Sequence, residues 1–590
     1  MEIKKGVQKK MTFIERPHEN EKTRALVYVS KLLEEAIKSK ENRTEDIKEL
    51  ENIQKLLSQK KYGLVWEQHA EQFEADMKFN IPVFVENKSK KMHYDKDSNK
   101  FNFLLEGDNL HSLHLLEKTH LEKIDIIYID PPYNTGNKDF VYNDDFIGKD
   151  DEFKHSKWLS FMERRLIIAK KLLSPNGVIF VSIDNKEGYQ LKLLMDSIFG
   201  ENQMAADLHV ETSAIAGPRR FQAINGSVVK TTEFIFAYTK GKKNIMKRPL
   251  YDSILGFDSH YSLFEDANGK LIPLVDEIKK HKSLIEQFKL YDLKINMPNL
   301  KKIIQISSTI ESWIYEEAIS KKIFRLGDVV KMEKNEIDSL NKGNVSFING
   351  RYLTLNKNSE PIVLFRYFDR LGMSDDYNPK YGERTIRGNL WRGFSADGGN
   401  LAREGGVSFK NGKKPKRLIK QLIYASTLFD RKKITVLDFF AGSGTTGQAV
   451  MELNAEKKGN YQFILATNNE VIETTYKRIE NVNKDYPINL KYFKTDFLDK
   501  KENNLENSLM YNVKTLIELK HGIDLDDSAV AIITKRSDMK DLDVSDISTI
   551  YMRSQTHKML DRKQLEELKG ITIIDIPETF FPLEMKEAGL

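Results

Sequence analysis

Two parts of the chain alternate short apolar runs with helical patterns. Near-continuous apolar runs occupy Ile124–Ile129 (IDIIYI), Val178–Ile183 (VIFVSI) and Ile434–Phe439. Runs of this length predict strands that are buried on both faces of a parallel sheet. Strands that alternate with helices indicate a doubly wound α/β fold. The spacing also predicts two further strands, Phe101–Leu105 and Tyr461–Thr467. It predicts three helices, Trp158–Leu173, Gln190–Phe199 and Lys416–Ser426.

The α/β alternation stops near residue 211 and resumes near residue 405. The middle part mixes strands and helices with Asn-Gly turns at 225–226 and 349–350. Near the start, residues 23–57 carry apolar positions at helical spacing. We therefore predict five regions: an N-terminal helical region (1–95), a first half of the α/β domain (96–210), an inserted domain (211–405), a second half (406–500) and a small α+β C-terminal domain (501–590).

The composition is that of a soluble globular protein, with 40% hydrophobic and 31% charged residues among 590. No run approaches the ~20 apolar residues that a membrane-spanning helix needs. The first ten residues lack the apolar core of a secretory signal. The chain has no cysteine, which excludes disulfides, zinc–thiolate sites and a cysteine nucleophile. A cytoplasmic protein without a metal site is the simplest interpretation.

Positive charge is concentrated in the middle of the chain. The net charge is +6, but residues 211–420 hold 37 Lys and Arg against 24 Asp and Glu, a net of +13 that leaves −7 for the remainder. A basic middle with acidic surroundings is the pattern expected of a segment that binds phosphates, as in nucleic acid. A solvated surface that is merely rich in lysine is the alternative.

The first candidate motif is the sequence DPPYNTG at 130–136, directly after a predicted strand. Ligands of open α/β sheets bind at the carboxyl ends of strands. The two prolines have no N–H, so the carbonyls of the loop are expected to lack local donors. Asp130 and the Pro131 carbonyl can then accept from an amino group, and Tyr133 offers a flat face for a base. A proline-rich turn capped by Asp130 is the alternative.

The second candidate motif is the sequence DFFAGSGTT at 438–446, again after a predicted strand. Its glycines allow a ligand to approach the backbone, and the following helix start favours polar or anionic groups. A phosphate-binding P-loop does not fit, because Gln448 stands where that motif needs lysine. Glu470 follows the next strand, at the place where a nucleoside ribose is held; a solvated loop acid is the alternative. The motif therefore indicates a nucleoside-cofactor site.

Asp108 and Asn109 form a third feature, just after the strand predicted at 101–105. Asp108 can accept from the amino group of an adenine. Either residue would also serve as the N-cap of the helix that begins near Leu110. Both roles can hold together.

The two motifs resemble the amino-methyltransferases of DNA, which carry Asp-Pro-Pro-Tyr and Phe-x-Gly-x-Gly. In this chain Asp-Pro-Pro-Tyr comes first and the glycine-rich motif follows it, and this order resembles that of the β group of adenine-N6 methyltransferases. That resemblance implies a circularly permuted Rossmann-like sheet, an α+β target-recognition domain at 211–405 and small terminal domains. Within the group, the chain is similar to the Mod subunits of type III restriction-modification systems. That similarity lies in Glu106–Asn109, YNTGNKDF at 133–140, HSKWL at 155–159 and Lys414-Pro415, although Asn411-Gly412-Lys413 departs from the usual Thr-x-Lys-Pro.

The resemblance implies roles for fifteen residues and for several partners. Its substrates would be S-adenosylmethionine and double-stranded DNA, its assembly a homodimer, and its partner a separate restriction subunit with ATPase and nuclease activity. The catalytic residues would be Asp130, Pro131, Pro132 and Tyr133, the last stacking on a flipped adenine. The cofactor site would comprise Asp108, Asn109, Lys414, Pro415, Asp438, Phe440, Ala441, Gly442, Gly444, Thr445 and Glu470.

The chemistry expected of such a site is direct methyl transfer to adenine N6. Hydrogen bonds to Asp130 and Pro131 would hold the amino nitrogen toward tetrahedral geometry and free its delocalised lone pair. No covalent enzyme intermediate is required, which agrees with the absence of cysteine. Methylation of cytosine N4, methylation of an RNA base, and a specificity subunit that has lost catalysis remain as alternatives.

Overall fold

The computed structural model describes residues 21–587, apart from 39–43, 59–65, 96–97, 137–139, 143–144, 149, 242–245, 402, 410–411, 458, 469, 526–528, 540–541, 554–555 and 557. The chain divides into two compact units, residues 1–66 and 67–590. The described part of the first unit consists of two helices that pack on each other, α1 (Glu21–Lys38) and α2 (Thr44–Ser58). They agree with the helical spacing of apolar residues found at 23–57, of which residues 39–43 lie outside the described part.

An eleven-stranded sheet forms the centre of the second unit. Its strands follow the order β1-β11-β3-β10-β9-β4-β5-β7-β6-β8, and β2 pairs with β11 at one side. In chain order the strands are β1 (Asn80–Glu86), β2 (Met92–His93), β3 (Asn102–Glu106), β4 (Ile124–Ile129), β5 (Leu173–Ile183), β6 (Met204–Glu211), β7 (Thr232–Thr239), β8 (Leu390–Trp391), β9 (Lys433–Asp438), β10 (Asn460–Thr467) and β11 (Asn489–Asp499).

Helices of the second unit connect these strands. None of the helices among the described residues is long and apolar enough to cross a membrane. The helices that belong to the sheet are α3 (Gln72–Phe79), α4 (Asn109–His120), α5 (Lys154–Leu172), α6 (Gly188–Phe199), α7 (Lys416–Ala425), α8 (Thr445–Lys457), α9 (Ile472–Val482) and α10 (Leu505–His521).

The central strands run parallel, as their apolar runs predict. β9 pairs in parallel with β10 on one side and with β4 on the other, while β7 runs antiparallel between β5 and β6. Ile126, Ile127 and Val436 are fully buried, which explains the lack of polar alternation in these strands. The fold class is therefore confirmed: two halves of the chain, separated in sequence by the inserted domain, build one doubly wound sheet.

Two predicted boundaries of the α/β domain were wrong. Residues 80–93, which we grouped with a helical N-terminal region, form β1 and β2. Residues 232–239, which we assigned to the inserted domain, form β7 inside the main sheet, and residues 390–391 pair with β6 as β8. Our prediction relied on strands that alternate with helices along the chain. Antiparallel strands and a strand of two residues do not show that alternation, so the prediction missed them.

The inserted domain lies between β7 and β8 and contains a six-stranded and a three-stranded antiparallel sheet. Asn349 and Gly350 both have positive φ and form the predicted hairpin turn between two strands of the larger sheet. The strands of the domain are Tyr251–Ser253, Leu263–Glu265, Leu271–Pro273, Ile323–Val329, Ser346–Ile348, Arg351–Leu355, Pro361–Arg366, Leu371–Met373 and Tyr381–Ile386. Its helices are Leu274–Ile278, Lys282–Leu290, Met297–Ile303, Ser308–Tyr315, Glu317–Ser320 and Lys334–Asp338.

The C-terminal region is less separate than predicted. Its first helix, α10, packs on the main sheet, where Thr515 donates to the Phe84 carbonyl and Glu518 forms a buried ion pair with Lys491. The remainder builds a small parallel sheet, so it is α/β and not α+β. The elements of this small sheet are the strands Val530–Ile533, Thr549–Arg553 and Thr572–Ile576, with the helices Arg562–Glu567 and Pro582–Glu587.

Further short elements lie outside these groups. They are the ribbon Val141–Tyr142 and Asp145–Phe146, and the helices Pro218–Ile224 and Gly398–Leu401.

Candidate active site

The two sequence motifs meet at one edge of the sheet. β9 ends at Asp438 and β4 ends just before Asp130, and the two strands pair in parallel through Leu437 and Ile127. From β9 the chain continues toward β10, and from β4 it continues toward β5 on the other side. This is the topological switch point of the sheet, where α/β folds bind their ligands.

The loop that follows β4 is held by side chains of two helices. The Trp158 indole donates to the Pro132 carbonyl at 2.7 Å. Asn134 has positive φ, and its amide donates to Glu187 at 2.6 Å. Within the described residues no group donates to the Pro131 carbonyl. The donor to Pro132 comes from α5, outside the loop, so among the described residues neither proline carbonyl has a local donor, as predicted.

A polar cluster surrounds the Tyr133 hydroxyl. That oxygen lies 2.8 Å from Asp130 Oδ1, 3.1 Å from Ser182 Oγ and 3.2 Å from Glu233 Oε2. Lys414 donates to the same hydroxyl and, at 2.7 Å, to Glu233. Its ammonium also lies 4.7 Å from the centre of the Tyr133 ring, so one cation bridges the phenol and the carboxylates.

Burial and the charged groups of this cluster shift the pKa of each member. Burial raises the pKa of Asp130, although Lys414 opposes the rise. Burial would also raise the pKa of Glu233, but the ammonium of Lys414 outweighs it and holds that pKa below its ordinary value. Burial and the two carboxylates raise the pKa of Tyr133 well above its usual range. Of the two carboxylates beside Lys414, Asp130 is therefore the one whose negative charge is less well stabilised.

Two glycines shape the loop after β9. Gly442 and Gly444 both have positive φ, a conformation that other residues rarely adopt. Asp438 accepts from the Phe440 N–H at 3.0 Å and from the Thr446 hydroxyl at 2.5 Å. Burial raises the pKa of Asp438 to about 7, and the charge of nearby Asp130 contributes to that shift.

Arg478 holds this loop through hydrogen bonds, a role that we did not predict from the sequence. It is fully buried and donates to Thr445 Oγ1 at 2.7 Å, to Ser443 Oγ at 3.1 Å and to Gln448 at 2.8 Å. Glu404 Oε2 lies 3.6 Å from its guanidinium. The Thr445 hydroxyl, which we assigned to the cofactor, is therefore engaged by the protein.

Asp108 and Asn109 lie at the end of β3, on the same edge. Asp108 accepts from the Leu110 N–H at 2.7 Å, so it is the N-cap of α4, as the structural alternative stated. Asn109 donates to the Phe439 carbonyl at 2.8 Å and accepts from buried Arg165 at 2.6 Å. Half of the Asp108 side chain is still exposed and can contact a ligand.

The remaining predicted site residues differ in their surroundings. The Phe440 ring packs 5.9 Å from that of Phe161. Ala441 is buried and its N–H donates to the Ala466 carbonyl across to β10. Pro415 is the buried residue before α7. Glu470 is exposed after β10, which agrees with both interpretations of this acid.

Glu187 is a further site residue that sequence reasoning missed. It is fully buried, its Oε1 accepts from the Asn134 amide at 2.6 Å, and the same oxygen lies 2.6 Å from His155 Nδ1. Burial raises its pKa to about 8. Glu233 and Arg478 were missed for the same reason as Glu187: each acts on a motif that lies far away in sequence, and no local spacing marks such a partner.

Glu187→Gln is expected to remove a pH dependence of stability. The pKa of this carboxyl rises from 4.5 to about 8 on folding. Its stabilisation is therefore complete below about pH 4.5 and is lost as the pH rises through 8. The variant should match wild type at pH 5 and exceed its Tm at pH 9, by roughly 1 °C for each kcal/mol involved, since the Tm shift per kcal/mol falls as the cooperative unit grows.

Thermal melts from pH 5 to 9 check this expectation, with Glu201→Gln, an exposed acid near the end of α6, as the control. A Tm difference that is constant across the pH range would show that Glu187 does not titrate as described.

Most of the arginines and aromatics that we find between residues 366 and 392 serve the fold. Arg387 is buried and forms an ion pair with Asp252 at 2.6 Å. Tyr367 and Trp391 are buried core residues. Arg366 binds the Tyr352 hydroxyl, whereas Arg392 is exposed. Most of these side chains thus pack a core or pair within the fold.

A family model described as DNA methylase matches residues 124–478, more than half of the chain. The matched segment begins with β4 and ends within α9. It therefore contains the DPPY loop, the inserted domain and the glycine-rich loop.

Curated relatives show the same similarity at low identity. The type III restriction-modification enzyme StyLTI Mod subunit of Salmonella typhimurium is 31% identical over 63% of this chain and 53% of its own length. The type III enzyme EcoPI Mod subunit of Escherichia phage P1 is 30% identical over 71% of this chain and 65% of its own. The type II methyltransferase M.KpnI of Klebsiella pneumoniae is 28% identical over 63% and 81%. The chain spans 48 to 65% of the length of the Mod subunits that it matches.

Proposed function

Because the chain belongs to the DNA methylase family, we propose that it transfers a methyl group from S-adenosylmethionine to the N6 amino group of an adenine that has left duplex DNA. One observation carries the proposal. Asp130 and the Pro131 carbonyl, to which no group in the described part of the chain donates, lie beside the glycine-rich loop at the switch point of the sheet. An acceptor pair for an amino group thus adjoins a place for a nucleoside cofactor.

The residues of the loop after β9 fit S-adenosylmethionine. When bound, that cofactor supplies an electrophilic methyl group on a positively charged sulfur. Asp438 offers a buried carboxylate, and no lysine or arginine is among the groups that bond it. Such a group complements a cation. Phe440 and Asp108 would hold the adenine of the cofactor, Glu470 the ribose, and Lys414 the methionine carboxylate.

The residues after β4 would position the target base. Asp130 and the Pro131 carbonyl accept from its amino group and orient the nitrogen lone pair toward the methyl group. The Tyr133 ring lies beside them and can stack on the base. Positioning of this kind can supply about 7–11 kcal/mol of the barrier reduction.

Lys414 is placed to link the two sides of the site. It contacts Tyr133 and Glu233 on the base side. A methionine carboxylate would compete with these groups for its ammonium. Cofactor binding would then draw Lys414 away from the Tyr133 ring and open that ring to the base.

We propose, from the similarity to Mod subunits, that the chain modifies DNA for a type III restriction-modification system. Cleavage would then require a separate restriction subunit, and the assembly would contain two copies of this chain. A solitary type II methyltransferase is the second candidate, which the likeness to 81% of the length of M.KpnI favours.

Sequencing of modified bases tests the proposed function. DNA from cells that express the chain should carry N6-methyladenine in one sequence context, and DNA from cells that express Asp130→Ala should not. Detection of N4-methylcytosine instead of N6-methyladenine would show that the target base is cytosine. Unmodified DNA despite folded protein would overturn the proposal.

Exchange of the inserted domain is expected to change which sequence is methylated. We propose that residues 246–389, which lie between β7 and β8, read the DNA sequence. Replacing them by the matching segment of a relative should move the modified site to a new sequence while adenine N6 stays the target. The modified bases are read by sequencing.

The control for this exchange replaces residues 529–587, the small C-terminal sheet, in the same way. It should leave the methylated sequence unchanged. An active chimera of 246–389 that keeps the original sequence would place recognition outside the inserted domain.

A further inference from the structure

The loop between β6 and β7, residues 212–231, presents apolar side chains to solvent. Phe221 is 69% exposed and Val228 is fully exposed, and Ile215 and Ile224 are more than half exposed. Clustered exposure of large apolar side chains marks an interaction surface more often than a bare loop. The loop also carries Arg219, Arg220 and Lys230 and no acidic residue.

The loop is fixed at the edge of the sheet that holds the candidate active site. β6 runs antiparallel to β7, which runs antiparallel to β5, so β6 ends on the same side as β4 and β9. The stem is closed by hydrogen bonds from the Thr212 and Ser213 N–H groups to the Thr231 carbonyl. Lys230 is bound to Asp184, at the end of β5, at 3.1 Å.

The inner side of the loop adjoins the polar cluster. Arg219, Val228 and Lys230 line a cavity of about 290 Å³ that also reaches Glu233. Glu233 in turn lies 3.2 Å from the Tyr133 hydroxyl. A ligand that enters the site past this cavity would therefore touch the loop.

We propose that the 212–231 loop enters the DNA duplex during base extrusion and that Phe221 stacks in the gap left by the target adenine. This inference rests on the proposed function. A base that leaves the stack exposes two neighbouring base pairs, and an apolar side chain can fill that space. Phe221 is the aromatic residue of the loop, and a flat ring can stack on both neighbours.

The charge of the loop favours duplex DNA over a protein partner. Arg219 and Arg220 directly precede Phe221 in the short helix Pro218–Ile224 and can bind phosphates next to the gap. A protein partner seated on this surface would cover the cavity that leads to Glu233. Duplex DNA at the same place brings its own base to the site.

The test compares Phe221→Ala with wild type on two duplexes that contain the methylated sequence found by sequencing. In one, the target adenine is paired with thymine; in the other it stands opposite an abasic site, where extrusion costs less. The variant should lose about 10- to 100-fold in kcat/KM on the paired duplex. It should retain most of its activity on the abasic one. Phe221→Trp should keep both activities.

Tyr511→Ala is the matched control, because Tyr511 is another aromatic side chain that is largely exposed, on α10. It should match wild type on both duplexes. An equal loss of kcat/KM by Phe221→Ala on both duplexes would show that the loop contributes only to general DNA binding, and would overturn the proposal. So would unchanged activity on both. If wild type methylates neither duplex, the proposed function fails, and the stacking role fails with it.

A second readout reports extrusion without methyl transfer. With 2-aminopurine in the target position, wild type and Asp130→Ala should both raise the fluorescence, since both extrude the base. Phe221→Ala should not. A full rise with Phe221→Ala would show that the base leaves the stack without this side chain and would overturn the proposal.

Discussion

Replacement of Asp130 by alanine is expected to lower kcat of methyl transfer by about 10²–10³-fold, the usual loss when one preorganised group is removed from a reaction centre. Asp130 lies 2.8 Å from the Tyr133 hydroxyl and is the weakly compensated carboxylate of its cluster. Without it, the Pro131 carbonyl alone would orient the amino group. The measurement is transfer of labelled methyl groups to duplex DNA at saturating cofactor.

Binding of S-adenosylmethionine to this variant should stay near that of wild type in calorimetry, because most of the proposed cofactor residues lie after β3, β9 and β10 and not in the loop after β4. Asp130→Asn, which keeps one oxygen that can accept, should lose less activity than Asp130→Ala. Near-normal turnover of the alanine variant would remove Asp130 from the reaction centre.

Replacement of Arg478 by methionine is expected to destabilise the protein by about 3–5 kcal/mol, the range found when one partner of a buried charged network is removed. Arg478 is fully buried and bonds three side chains of the glycine-rich loop and α8. The loop after β9 should lose its fixed geometry, so the affinity for S-adenosylmethionine should fall as well. Thermal melts and calorimetry measure the two effects.

Lys477→Met is the control for this variant. Lys477 is the neighbouring cation on α9, but its side chain is exposed and its pairing with Glu480 is a surface contact. It should change neither the Tm nor the cofactor affinity measurably. If Arg478→Met also left both unchanged, the guanidinium would not support the cofactor loop.

The sheet and its switch point could be predicted from local patterns. Ile124–Ile129 is a strand with the predicted bounds, and the strand predicted at 434–439 differs by one residue at each end. These elements are buried on both faces, so their sequences record their surroundings directly. The positions of Asp130 and Asp438 at the carboxyl edge followed from those strands.

The partners of the site residues could not be predicted, because they come from distant parts of the chain. Glu233 reaches Tyr133 across 100 residues, and Lys414 reaches it across 281. Arg478 lies 33 residues from Thr445. None of these pairs has a spacing that a helix or hairpin would fix, so only the pairing of the strands brings them together.

Burial also decided which basic residues remain free for DNA. The positive charge of the middle segment predicted contact with phosphates, but Arg387 is used inside the fold. Arg219 and Arg220 stay exposed on the 212–231 loop. Composition counts all of these residues equally and cannot separate them.

The most direct test of the account is the product that the purified chain makes. The chain is incubated with duplex DNA and S-adenosylmethionine labelled in its methyl group, and the DNA is then digested to nucleosides for mass spectrometry. The label should appear in N6-methyladenine with wild type, and its initial rate of appearance should fall by about 10²–10³-fold with Asp130→Ala. Label in another nucleoside, or none in DNA although the protein is folded and binds the cofactor, would contradict the assignment of this site.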